Sequence, residues 1–95
     1  MRIEELVKAF SNGATYGQAG GCAYGVRNLR IEGDFLFNYH TILAMRQKNG
    51  KVVYNDRHYS SSTSRIQTYI RYYCDIVRVV DGEEKLRKHY IKRGY

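Results

Sequence analysis

Ser60-Ser61-Ser62-Thr63-Ser64-Arg65-Ile66-Gln67-Thr68-Tyr69-Ile70-Arg71-Tyr72-Tyr73-Cys74-Asp75-Ile76-Val77-Arg78-Val79-Val80 fills residues 60 to 80. Ile66, Tyr69, Ile70, Tyr73, Val77 and Val80 recur at intervals of three and four, while Arg71, Asp75 and Arg78 take the opposite side. The spacing predicts one long amphipathic helix laid across a sheet face and broken by Asp81-Gly82. Cys74 flanks the apolar stripe, which suits a buried, unreactive thiol.

Upstream the period changes. Leu29 and Ile31 alternate with Arg30 and Glu32, and Phe35, Phe37 and Tyr39 alternate through the next run, so residues from Val26 to Asn55 read as strands. Gly33-Asp34 and Asn49-Gly50 supply turns. Asn and Gly both tolerate positive φ, so the second reads as a two-residue type I′ hairpin between strands near Thr41–Gln47 and Lys51–Asn55. A three- or four-stranded antiparallel meander is expected.

Ile3, Leu6, Val7 and Phe10 at helical spacing predict a short first helix, stopped by Ser11-Asn12-Gly13. Gly13, Gly17, Gly20, Gly21 and Gly25 make residues 13–25 read as loop unless strands or a ligand pin them. Glu83–Arg93 reads as a short basic helix anchored by Leu86 and Tyr90. With 95 residues there is room for one small core, so the expectation is a single α+β domain over residues 1–95.

The net charge is +7, concentrated as +3 in residues 25–59 and +3 in residues 83–95, which favours an anionic partner such as nucleic acid or a nucleotide. Ten of the thirteen aromatic residues are tyrosine, a side chain suited to contact surfaces, and a homo-oligomer is one use for them. No apolar run approaches a membrane span and no secretory pattern opens the chain, so a cytoplasmic protein with reduced Cys22 and Cys74 is expected.

Five consecutive hydroxyls, Ser60, Ser61, Ser62, Thr63 and Ser64, precede the helix. A helix start has unpaired N–H groups at the positive end of its dipole, so this stretch reads as an anion pocket completed by Arg65 and by Arg57 or His58. The plainer alternative is that Ser62 or Ser64 is an ordinary N-cap. Arg and Tyr interleave at Arg71-Tyr72-Tyr73 and basic residues at Lys88, Lys92 and Arg93, a pattern able to track phosphates while rings stack on bases. Tyr69 and Tyr73 belong to the core-facing stripe, and Tyr72 falls outside it. Asp75 is placed to pair with Arg71 and Arg78.

No catalytic, cofactor or metal signature emerges. The glycines lack the Gly-Lys-Ser/Thr ending of a phosphate loop and the strand and helix of a dinucleotide fingerprint. His40, His58 and His89 have no metal-ligand spacing with the two cysteines. The candidate contact residues are therefore Arg57, His58, Ser60, Ser61, Ser62, Thr63, Ser64, Arg65, Arg71, Tyr72, Lys88, Lys92 and Arg93, with no cofactor.

Two stretches resemble a family of small phage and mobile-element proteins. One is Gly13-Ala14-Thr15 and Gly17 followed by Asn28-Leu29-Arg30-Ile31-Glu32-Gly33-Asp34-Phe35-Leu36-Phe37-Asn38-Tyr39-His40-Thr41; the other is Tyr59-Ser60-Ser61-Ser62-Thr63-Ser64-Arg65-Ile66-Gln67. The chain departs from that pattern at Asn38, where Ser is usual, at Ser62, where Thr is usual, and at Ile66, where His is usual. The resemblance implies a non-enzymatic protein that binds a host factor in the host cytoplasm, including as an inhibitor of CRISPR or other defence systems that handle nucleic acid. The alternatives are a small phosphodiester-processing enzyme with His58 as acid or base, and a self-assembling structural protein.

Overall fold

The computed structural model describes residues 2–23 and 26–92, with the side chains of residues 20–28 and 90–92 outside the description. The elements are α1 (Ile3–Ser11), β1 (Tyr16–Ala23), β2 (Val26–Glu32), β3 (Phe35–Asn38), β4 (Thr41–Arg46), β5 (Val52–Asn55), α2 (Ser61–Tyr73), β6 (Ile76–Val80) and α3 (Glu83–Lys92). The strands form one sheet in chain order. β1 to β5 pair antiparallel, and β6 joins β5 in parallel.

This corrects the expected three- or four-stranded meander under one long helix: the sheet is mixed and has six strands, and α2 has only 13 residues. Two segments account for the difference. Residues 16–23, read as loop, are an edge strand, because pairing with β2 pins their glycines. Gly17 also suits the packing, since a Cβ there would lie 2.6 Å from Leu6 Cδ1 of α1 and this buried side chain would have to shift.

The second segment is β6. Val77 and Val80 satisfy a helical stripe, but Ile76-Val77-Arg78-Val79-Val80 is equally a short apolar run, and periodicity alone does not separate the two. Four of its five residues are β-branched and favour a pleated surface. The helix stops where Cys74 turns extended, at φ −93° and ψ 147°, with its N–H still donating to Ile70 O at 3.0 Å. α2 thus becomes the crossover that parallel pairing of β5 and β6 demands. Asp75, placed before the strand, pairs with Lys51 Nζ at 2.7 Å rather than with Arg71 or Arg78.

Helices cover both faces. Leu6, Val7 and Phe10 of α1 and Ile66 and Ile70 of α2 pack with Leu29, Ile31, Leu36, Val52 and Tyr54 in the main core. On the other face Leu86 of α3 meets Ile42, Met45 and Val53. A bulge serves both layers. Leu36 pairs with Ala44 but Phe37 with Ile42, so Leu43 is an extra residue, and Leu43 and Ala44 both join the main core between two residues facing α3.

The Asn49-Gly50 turn differs from the expected type I′. Gly50 N–H donates to Gln47 O at 2.9 Å and Gln47 N–H to Lys51 O at 2.8 Å, which closes a three-residue loop with positive φ at Gly50 (85°) and not at Asn49. Sequence reasoning also passed over Arg46, which is buried. Its Nη1 donates to Phe10 O at 2.6 Å and Ala14 O at 2.9 Å, its Nη2 donates to Gly33 O at 3.0 Å, and its guanidinium lies 4.9 Å from the Phe10 ring centroid. One cation therefore ties the end of α1 to the β2–β3 turn and meets the negative end of that helix dipole.

Candidate anion-binding site

The N-cap of α2 is Ser60, not Ser62 or Ser64. Its backbone is extended (φ −155°, ψ 169°) and its Oγ accepts from Thr63 N–H at 3.3 Å. Thr63 is the buried hydroxyl of the five, while Ser60, Ser61 and Ser62 are exposed and Ser64 is half-buried. Thr63 Oγ1 receives Asn38 Nδ2 at 2.8 Å and lies 3.1 Å from Ser60 Oγ. Each of these hydroxyls has one proton and two lone pairs, so either can donate to the other.

Ser64 N–H donates to Ser60 O at 2.9 Å. The N–H groups of Ser61 and Ser62 find no acceptor among the described residues, as expected for the first helical positions. Donors from two amides and three hydroxyls converge on one turn, and α2 contains no Asp or Glu at all. By contrast α1 carries Glu4 and Glu5 and α3 carries Glu83 and Glu84 in the first turn.

The loop feeding α2 is held by a buried polar network. Asn55 has no exposed surface: its Nδ2 donates to Ile42 O at 3.0 Å and Tyr59 OH at 2.8 Å, and its Oδ1 accepts from Arg57 N–H at 3.1 Å and Gly82 N–H at 2.9 Å. Every hydrogen-bonding site of that amide is in use. Gln67, nearly two turns into α2, donates from Nε2 to Asn55 O at 3.0 Å and Arg57 O at 2.9 Å. These bonds fix residues 55–59 against β4, α2 and the β6–α3 turn. Asn55 was not singled out in the sequence, Asn38 only as a departure from the family pattern and Gln67 only as part of a resembling stretch; the available signal was a polar residue at an inward position, as where Asn38 follows Leu36 by two in β3.

The remaining candidates separate. His58 Nδ1 is 3.3 Å from Ser64 Oγ, beside the hydroxyls. Arg65 is exposed and follows Ser61 by four residues and Ser62 by three, so it shares their face. Arg57 is committed elsewhere: its Nε donates to Asp81 Oδ1 at 3.1 Å and its guanidinium covers Gly82. Arg71 and Tyr72 stand at the far end of α2, about 15 Å from Ser61 at 1.5 Å per residue. Arg71 donates to Tyr54 OH at 2.7 Å and Thr68 Oγ1 at 3.1 Å. Lys88 is exposed on α3, across the sheet from α2. Arg93 and the side chains of Lys92 and Tyr90 lie outside the described residues.

Among the described residues no cluster of His, Cys, Asp and Glu is arranged to hold a metal ion, and no helix is long and apolar enough to cross a membrane. Cys74 is half-buried, and burial pushes its thiol up to about 11 against the pull of Arg46. Comparison with known families, curated proteins and solved structures finds no match to this chain.

Proposed function

We propose that this chain is a small non-enzymatic binding protein that takes an oxyanion, such as a phosphate of a nucleic acid or nucleotide, at the start of α2. One observation carries the reading. The first turn of α2 has no carboxylate, two amide N–H groups without acceptors among the described residues, and the exposed hydroxyls of Ser60, Ser61 and Ser62. Each charge-assisted hydrogen bond contributes about 1.5–3 kcal/mol and the dipole about 0.3–1 kcal/mol, so a single phosphate binds modestly. A polyanion gains further because Arg65 and the wider basic surface neutralise its phosphates and release the counterions condensed on them.

The resemblance to phage and mobile-element proteins supports a counter-defence role in a host cytoplasm, exerted on a nucleic-acid-handling effector. Titrating the protein with inorganic phosphate and with a short single-stranded oligonucleotide, while following the amide signals of Ser61 and Ser62, tests the site. Saturable shifts that disappear in a Ser61→Ala/Ser62→Ala/Arg65→Gln variant are expected. Shifts spread over the surface and unchanged in that variant would reject it. A pull-down from host lysate with and without nuclease then separates a protein target from a nucleic acid.

The His58–Ser64 contact favours one rival, a phosphodiester-processing enzyme. No further group orients the His58 ring among the described residues, which supports binding over turnover. Turnover abolished by His58→Ala with folding intact would reverse that preference.

A further inference from the structure

Three tyrosine rings and one carboxylate gather at the other end of α2. Glu4 of α1 and Thr68, Tyr69, Tyr72 and Tyr73 of α2 line an open cleft of about 220 Å³. Tyr72 is 78% exposed and meets Tyr73 edge to face, with centroids 4.8 Å apart; Tyr69 and Tyr73 stack at 6.5 Å. Tyr73 donates its hydroxyl to Glu4 Oε2, which fixes that ring and keeps the carboxylate at the cleft. The cleft also lies at the C-terminal turn of α2, where the dipole is negative.

We propose that this cleft binds an alkylammonium head group, held against the faces of Tyr69 and Tyr72 with Glu4 as counter-charge. Ring faces attract cations through their quadrupole, and a desolvated ammonium gains most when several rings and an anion surround it. The molecule already displays the chemistry, because Lys8 Nζ sits 5.1 Å from the Tyr73 ring centroid. No cation covers Tyr69 or Tyr72 among the described residues. The other nearby cation, Arg71, is engaged by Tyr54 and Thr68. This site is independent of the anion site: the two are opposite ends of one helix, and either stands without the other.

The test is a titration of the full chain with tetramethylammonium chloride, against sodium chloride at equal ionic strength, read by the ring signals of Tyr69, Tyr72 and Tyr73. Saturable shifts specific to tetramethylammonium are expected. Tyr72→Leu and Glu4→Gln should each weaken binding by roughly threefold or more, while Tyr72→Phe, which keeps the ring, should retain it. Tyr72 is exposed, so its replacement leaves the core untouched. Identical responses to the two salts, or wild-type affinity in Tyr72→Leu, would overturn the proposal. A second arm with N-acetyl-lysine amide and its trimethylated form separates sources: tighter binding than tetramethylammonium assigns the head group to a peptide side chain, and weaker binding to a free ammonium compound.

Discussion

Arg46 illustrates how one side chain can be worth more than its charge. Its guanidinium satisfies the carbonyls of Phe10, Ala14 and Gly33, and the partner carboxylate of Asp34 is 3.4 Å away and nearly half exposed. Arg46→Met restores some packing but takes the guanidinium from Ala14 O and Gly33 O, while Phe10 O keeps Gly13 N–H at 3.1 Å, so a loss of about 3 kcal/mol in chemical denaturation is expected. A loss below about 1 kcal/mol would show that water replaces the guanidinium without cost. Cys74 makes a different prediction. Because its thiol is raised to about 11, it stays protonated at neutral pH, and in a Cys22→Ser background its alkylation should be slow there and accelerate as the pH approaches that value. Labelling at the denatured-chain rate near neutrality would contradict this.

At the scale of elements, the helix starts decide both stability and binding. Ser60→Ala removes the N-cap and should cost about 1 kcal/mol. Ser61→Ala and Ser62→Ala, exposed and bonded to nothing described, should change stability by less than about 0.5 kcal/mol while weakening phosphate binding. Equal stability losses for all three would mean that the exposed hydroxyls hold the fold rather than a ligand. The same scale shows what could be read from the sequence. Leu6, Val7 and Phe10 placed α1 because their spacing fits a helix and no strand. Val77 and Val80 fitted a helical stripe while Ile76–Val80 was equally a short apolar strand run, and only pairing with a strand far earlier in the chain selects between them, which no local pattern records. The glycines of β1 concealed a strand because what stabilises it is β2 and the close approach of Leu6. For the site, the hydroxyl run was visible, but the inward turn of Thr63 depends on Asn38, 25 residues away in the chain.

For the molecule as a whole, the basic charge divides between two faces. Arg65 shares the face of the serines, whereas Lys88 lies on α3 across the sheet. Oligonucleotide affinity measured against salt should therefore lose about one unit of slope in Arg65→Gln and stay unchanged in Lys88→Gln. The reverse result would move the contact surface to the α3 side.

The parallel joining of β6 to β5 has a consequence for the nascent chain. Until residues 76–80 are in place, one margin of the apolar strand Val52–Asn55 presents bare amides and carbonyls to any extended segment nearby, and neither α1 nor the meander shields it. A polypeptide truncated between the end of α2 and Val80 keeps that margin bare and is primed to aggregate.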